Sequence, residues 1–296
     1  MKTLVKEEYE KLPWYKKTFY QVAYHFTSVE EAYKKKPKKW PYQIAFWVIL
    51  IGVMLYFSLD VKLFDNFQAP DWKRLKSILD GFIHPNFKYM FGYGGDFKFK
   101  TSVVYQVFET FAIAFIGTMV ASILSIPFGF LASRKIVGKW AWASELILIL
   151  IRTFPEILLG YIMLTVSGFG AFTGVAVLSI HSVGMIGKMY AEQLDVISSE
   201  PLEALDAVGA TGFTKIQYGV VPQVMPNFLS VILYRFDLNI RTASLLGLVG
   251  AGGLGYPILV YSQNEHWPEL AAALYGIIIL VLLVDTVSSF LRKKLV

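Results

Sequence analysis

Six long apolar stretches are the feature of this sequence that most restricts its fold. They lie near residues 42–59, 103–131, 143–166, 171–190, 225–249 and 270–291. Crossing the hydrocarbon core of a bilayer takes roughly 20 apolar residues in a helix. The chain is 55% hydrophobic and only 17% charged, which is too apolar for an ordinary soluble domain. These observations predict an all-α, polytopic membrane protein with six transmembrane helices.

The basic residues indicate how the chain is oriented. They cluster before Ile44, at residues 134–139 and at residues 292–294, all on one side of a six-span arrangement. The positive-inside rule makes that side cytoplasmic, so both termini are predicted to lie inside and the protein in the cytoplasmic membrane. The loop at residues 60–100 mixes lysines with aspartates and is assigned to the outside. Because topology accounts for the net charge of +6, nucleic acid is not expected as a partner.

The first 41 residues differ from the rest of the chain. From Tyr15 to Tyr33, apolar side chains recur at steps of three and four, which predicts an amphipathic helix. The lysines that follow suit a helix on the inner leaflet, and a helix docked on the rest of the protein explains the pattern equally well. We divide the chain into this N-terminal segment (1–41), a first transmembrane helix with its extracytoplasmic loop (42–102), and a core of five transmembrane helices (103–296).

The sequence offers no catalytic or metal centre. It has no cysteine, and its four histidines show no metal-ligand spacing. No GxxxxGK[ST] phosphate loop and no nucleophile–base arrangement are found, so the chain is not expected to be an enzyme or to hydrolyse ATP itself. Gly250 to Gly255 fit the dinucleotide pattern GxGxxG, but they follow a membrane helix rather than a strand, which disfavours nucleotide binding.

A polar stretch at residues 192–223 lies between the fourth and fifth spans, on the side predicted to be cytoplasmic. Helix start and end signals within it are Ser199, Pro201, Gly209 and Thr211. Two short helices held between two spans would form a docking surface. Its apolar side chains, which we expect to sit in a partner's groove, are Leu202, Leu205 and Val208.

The same stretch resembles the coupling loop of ATP-binding-cassette importer permeases. Glu203, Ala204, Gly209 and Pro222 reproduce the spacing of that family's glutamate-alanine-alanine motif. The sequence departs from the motif at Leu205, where alanine is usual, and at Gly219, where isoleucine is usual. The resemblance implies that Glu203, Ala204 and Gly209 insert into a cleft of a separate ATPase subunit.

The likeness extends from about Val103 to the C-terminus and is strongest to phosphonate-type permeases. Its residues are Arg152 to Glu156, His181 to Lys188, Tyr234 to Arg241 and Leu246 to Gly255. It implies a type I importer permease fold and a phosphonate or related phosphorus oxyanion as substrate. It also implies a second copy of the chain, two ATPase subunits that bind the ATP and Mg²⁺, and an extracytoplasmic binding protein. This chain itself would bind no cofactor.

The resemblance also assigns an outer gate to the glycine-rich turn. Its glycines are Gly250, Gly252, Gly253 and Gly255. A turn of small residues suits a moving gate, and the alternative is an ordinary tight turn.

Five charged residues fall within the predicted spans. They are Arg152, Glu156, Arg235, Asp237 and Arg241. Because a charge in lipid is costly, we expect them to face protein or a water-filled path. Arg152 with Glu156, and Asp237 with Arg241, have the four-residue spacing of a helical ion pair, and each pair could staple helices or line the path. Arg235 lacks such a partner and is predicted to meet the anion.

Two alternatives stay open from the sequence. One is a permease of the same superfamily for another small solute such as methionine, because the block from Leu246 to Gly255 is shared with methionine-type permeases. The other, an ion-coupled secondary transporter, predicts internal repeats, and none is evident in the sequence.

Overall fold

A computed structural model describes residues 2–5, 20–23, 40–60, 71–93 and 98–295. The chain divides into two compact units, Met1–Pro70 and Asp71–Val296. In the described residues, helices form nearly all of the secondary structure, which confirms the all-α prediction.

Among its described residues, the first unit contains two short strands and one long helix. Strand β1 (Lys2–Val5) pairs in parallel with β2 (Tyr20–Ala23), and helix α1 covers Trp40–Asp60. The predicted amphipathic helix is therefore wrong at residues 20–23, and the rest of Tyr15 to Tyr33 lies outside the described residues. Tyr20 and Val22 are of the aromatic and β-branched types that favour strands. The pairing with residues 2–5, which supplies the backbone hydrogen bonds, could not be read from the local periodicity.

In the second unit, all of the regular secondary structure of the described residues is helical. Its helices are α2 (Trp72–Ile83), α3 (Phe87–Phe91), α4 (Val103–Ala132), α5 (Arg134–Val137), α6 (Ala141–Thr153), α7 (Glu156–Ser167), α8 (Ala171–Asp195), α9 (Glu200–Ala207), α10 (Gly212–Lys215), α11 (Val221–Leu248), α12 (Gly255–Gln263) and α13 (Trp267–Leu295). A π-helical turn at Ile216–Val220 joins α10 to α11.

Five helical stretches of the described residues are long and apolar enough to cross a membrane. They are Trp40–Ser58, Val103–Ala132, Ala171–Asp195, Gly212–Leu248 and Trp267–Leu295. The predicted third span is instead two helices, α6 and α7, bent by 84°. Six spans result if this bent pair counts as one.

The break between α6 and α7 is centred on Phe154 and Pro155. Both residues are extended, with ψ of 124° and 130°. Proline disfavours the helical conformation in the residue before it and has no N–H to donate. The sequence predicts a kink at Pro155, and the structure shows a complete interruption of the helix there.

Helix α8 forms the centre of the bundle and packs closely against α4. A Cβ atom on Gly117 would lie 2.8 Å from Leu178 Cβ, and one on Gly129 would lie 2.7 Å from Tyr190 Cβ. Glycine at both positions lets the two helix backbones approach, as is common for helices in membranes. The ring of Tyr190 also stacks on Phe228 of α11, with ring centroids 3.8 Å apart.

Candidate functional site

Arg152 lies at the broken span, in the last turn of α6. Its backbone is held against α8, because a Cβ on Gly184 would come within 2.9 Å of Arg152 N. Its side chain is exposed and forms no ion pair or hydrogen bond with any residue that the structure describes. The predicted pair with Glu156 is wrong, because the 84° break removes the helical geometry that four-residue spacing requires.

Glu156 instead pairs with two residues from other helices. Its Oε1 lies 2.6 Å from His181 Nδ1 on α8 and 2.9 Å from Arg235 Nη2 on α11. Arg235 is buried and paired with Glu156, so it is not the unpaired arginine that the sequence predicts. Helical spacing detects partners within one helix and cannot detect one that arrives from another.

A buried polar network extends from this ion pair. Arg235 Nε donates to Ser182 Oγ at 3.0 Å, and Asn239 Nδ2 donates to Ser182 Oγ at 3.0 Å and to Thr118 Oγ1 at 2.8 Å. The network joins α4, α7, α8 and α11. Because buried polar groups are costly unless hydrogen-bonded, these contacts hold the four helices in one register.

Ser182, Asn239 and Thr118 were not predicted from the sequence as members of this network. Asn239 follows Arg235 by four residues, so its place on the same helix face was available as a signal. Ser182 and Thr118 had no comparable signal, because each belongs to a different helix.

The predicted pair between Asp237 and Arg241 is confirmed. Arg241 Nη2 lies 3.2 Å from Asp237 Oδ2, and the aspartate side chain is 8% exposed while that of the arginine is 51% exposed. Both residues are in α11, which continues without interruption through this region. The four-residue spacing is therefore preserved.

The glycine-rich turn between α11 and α12 is tightly packed. Gly250, Gly252 and Gly253 have φ of 91°, 83° and 71°, a region that other residues rarely adopt. A Cβ on Gly250 would lie 2.4 Å from Phe169 Cδ1, and Gly250 O accepts a 3.0 Å hydrogen bond from Gly170 N. Gly255 begins α12, where a Cβ would meet Ser244 O at 2.2 Å. The turn thus sits directly on the start of α8.

A cavity of about 540 Å³ opens beside this turn. Its polar lining comes from Lys100, Gln106 and Glu109, and its apolar lining includes Phe169 and Tyr256. Near its wall, Tyr89 Oη donates to Gln106 Oε1 at 3.0 Å, and burial raises the pKa of the Tyr89 hydroxyl above its ordinary value. The cavity is at the end of the bundle where α4 and α13 begin.

The predicted coupling loop forms two short helices, α9 and α10, at the opposite end of the bundle. Glu203 and Ala204 are exposed on α9, and Pro222 is exposed in the first turn of α11. Gly209 follows α9 with φ of 71° and has open space where a side chain would be. Thr211 caps α10 by accepting a hydrogen bond from Thr214 N at 3.4 Å.

The apolar face of this loop differs from the prediction. Leu202 and Leu205 are half-buried against Gly219, where a Cβ would meet Leu202 Cδ2 at 2.8 Å and Leu205 Cδ1 at 3.0 Å. The most exposed apolar side chains beyond Ser199 in this loop are Val208 at 78%, Phe213 at 75% and Tyr218 at 65%. The two residues that depart from the family motif, Leu205 and Gly219, thus lie next to each other. Leu205 is larger than the usual alanine, and Gly219 is smaller than the usual isoleucine.

The base of the loop is tied to the bundle. Ser133 Oγ donates to Asp195 Oδ1 at 2.6 Å, and Lys135 N donates to the same oxygen at 3.1 Å. On the other side, Ser198 N donates to Gln223 Oε1 at 2.9 Å. The loop therefore begins and ends at positions fixed to α4 and α11.

Residues 125–296 match the sequence profile of the family described as the binding-protein-dependent transport system inner membrane component. The chain belongs to this family. It is 36% identical over 200 residues to the phosphite transport system permease protein PtxC of Stutzerimonas stutzeri, covering 67% of this chain and 73% of that protein. It is 39% identical over 119 residues to the putative cryptic phosphonate transport system permease protein PhnE2 of Escherichia coli (strain K12), covering 40% of this chain and 98% of that protein.

The fold is also similar to a solved permease. A chain of the MetNI methionine ABC transporter in an inward facing conformation superposes with a TM-score of 0.59 at 22% identity, covering 66% of this chain and 96% of that chain. This likeness confirms the type I importer permease fold. Family and relatives together make the protein an inner-membrane transport subunit rather than an enzyme, as the sequence predicts.

Proposed function

We propose that this permease carries phosphonate or a related phosphorus oxyanion, such as phosphate or phosphite, through an importer driven by ATP. In this assembly two copies of the chain frame the path, and two ATPase subunits bind ATP and Mg²⁺ and dock on the coupling loops. An extracytoplasmic binding protein delivers the substrate. Both termini lie in the cytoplasm. The names of the phosphite and phosphonate relatives support the substrate class.

The structural observation that carries the proposal is the unpaired Arg152 at the break between α6 and α7. A membrane arginine with no acidic partner among the described residues is costly unless it faces water or an anion. In interrupted membrane helices the positive, N-terminal end of a half-helix can point at an anion, and α7 begins at this break. A guanidinium can also bind two oxygens of one oxyanion at once.

The ion pair between Glu156 and Arg235 supports this role for Arg152. Their mutual ion pair leaves neither residue free to oppose or attract the substrate at full charge. Of these two arginines, Arg152 is therefore the one whose charge no described carboxylate offsets. In this proposal the anion meets Arg152, and not Arg235 as the sequence predicts. Glu156 and Arg235 hold the broken helix in place.

The coupling role rests on the exposed part of the loop. Glu203, Ala204, Val208 and Phe213 face away from the bundle, on the end that the positive-inside rule assigns to the cytoplasm. An exposed apolar patch of this kind fits a groove in another subunit. The glycine-rich turn, with its cavity, lies at the other end and is assigned the outer gate.

The test is uptake by the complex in liposomes, with its ATPase and binding protein present. We expect ATP-dependent uptake of a phosphorus oxyanion that Arg152→Gln abolishes and Arg152→Lys partly restores. Arg74→Gln serves as a control, since Arg74 is an exposed arginine paired with Glu265 outside the spans. Uptake of methionine in place of an oxyanion would contradict the substrate class, and uptake driven by an ion gradient without ATP would contradict the mechanism.

A further inference from the structure

Helix α2 has one face fixed to the start of α13. A Cβ on Gly81 would lie 2.4 Å from Trp267 Cβ, so the two helices touch at this point. Tyr275 Oη donates to Phe82 O at 2.7 Å, and Arg74 pairs with Glu265 at 2.7 Å. Helix α2 is therefore held at the level of the first turns of a transmembrane helix.

The opposite face of α2 is an exposed apolar stripe. Trp72, Leu75, Leu79 and Ile83 recur at steps of three and four and are 70%, 42%, 55% and 71% exposed. We call these four residues the α2 stripe. Phe87 and Phe91 of α3 are exposed just beyond its end. Monomeric soluble proteins rarely expose such a continuous apolar surface to water.

Lysines flank the α2 stripe along one edge. Lys73 and Lys76 are both exposed, and neither has an ion pair with any residue that the structure describes. Asp80 is close to the same edge, where its carboxylate lies 3.3 Å from His84 Nδ1. The two lysines outnumber the aspartate, so this edge carries net positive charge beside an apolar surface that begins with a tryptophan.

We propose that α2 lies in the headgroup region of the bilayer at the outer end of the bundle, with its stripe in the lipid and its lysines on anionic headgroups. Its contact with Trp267 fixes its depth, since α13 begins its membrane span there. Basic amphipathic helices with tryptophan on the apolar face bind at this boundary. Lysine stems can lie along the apolar surface while their charges reach the phosphates.

This inference goes beyond the proposed function and does not depend on the substrate. Bound lipid would anchor the outer end of α13 through the contacts at Gly81, Phe82 and Arg74. A binding protein or a second copy of the chain could cover the same face, and each predicts a different result in the test below.

The test uses the absence of native cysteine. Single cysteines at Leu79 and Ile83, and at Ser77 on another face of α2 as the control, carry a nitroxide label in the full-length chain assembled with its ATPase. In liposomes of phosphatidylcholine and phosphatidylglycerol, we expect the ratio of oxygen to nickel-chelate accessibility to be several-fold higher at Leu79 and Ile83 than at Ser77. Lys73→Gln with Lys76→Gln should reduce this difference in anionic liposomes and not in pure phosphatidylcholine.

Three results would overturn the proposal. The first is equal chelate accessibility at Leu79 and Ser77. The second is protection of Leu79 only after the binding protein is added, which would assign the stripe to that protein. The third is strong dipolar coupling between labels on two copies, which would assign it to a dimer contact. Normal ATPase activity of the labelled complexes controls for misfolding.

Discussion

At the scale of single residues, the arginines in the membrane differ most in what surrounds them. Arg235 is buried and donates to Glu156 and Ser182, whereas Arg152 is exposed beside a helix break. Breaking a buried ion pair leaves an uncompensated charge, while changing an exposed residue usually alters stability little. The same chemical group is therefore buried and paired at one position and exposed at the other.

We predict that Arg235→Gln lowers the free energy of unfolding by about 3 kcal/mol. Arg152→Gln should change it by no more than about 0.5 kcal/mol. Thermal melting of the two purified variants measures the difference. A variant at Arg235 that melts like the wild type and still fails to transport would return Arg235 to the substrate path.

The contact between Leu205 and Gly219 leads to a second prediction. Gly219→Ile should destabilise the coupling loop by about 1–3 kcal/mol, because the pocket around residue 219 is already filled by leucine methyl groups. Leu205→Ala in the same chain should recover part of that loss by making room. A double-mutant cycle on melting temperature gives the coupling between the two positions, and strict additivity would mean that they are independent.

At the scale of helices, Gly209 determines where α9 ends. Its φ of 71° is accessible to glycine and, at small cost, to asparagine, but it is strained for a β-branched residue. We predict that Gly209→Val abolishes uptake and substrate-stimulated ATPase activity while Gly209→Asn keeps both. Equal activity of the two variants would show that the backbone at residue 209 is not needed for coupling.

Some of the helices and strands could be predicted from the sequence, and others could not. The spans at α4, α8, α11 and α13 were predictable, because each consists of one long apolar segment. The break at Pro155 was located correctly, but its angle depends on how α7 packs and not on proline alone. Residues 20–23 form a strand because they pair with residues 2–5, which supply the backbone hydrogen bonds. This pairing could not be predicted from local periodicity.

The candidate site was less predictable than the spans. Asp237 and Arg241 pair as expected, because both lie within one continuous helix. The partners of Glu156 come from α8 and α11, so they depend on tertiary packing. In the coupling loop the residue positions were predictable, but the direction of Leu202 and Leu205 was not, because Gly219 offers them space within the protein.

At the scale of the whole molecule, the orientation in the membrane can be tested directly. Asp80 and Thr211 are both exposed, and they lie at opposite ends of the bundle. With single cysteines in a chain that has none, Asp80→Cys should react with an impermeant thiol reagent added to intact cells, and Thr211→Cys should react only after the cells are opened. Labelling in the reverse order would invert the proposed topology.

Helix α8 connects the two ends of this molecule as a single rigid rod. Gly170, the residue before this helix, donates a backbone hydrogen bond to Gly250 in the glycine-rich turn. The last residue of the helix, Asp195, accepts hydrogen bonds from Ser133 Oγ and Lys135 N beside the coupling loop. Its 25 residues span about 37 Å without interruption. A tilt of α8 at one end would therefore displace its other end as well, because no break in the helix separates the two.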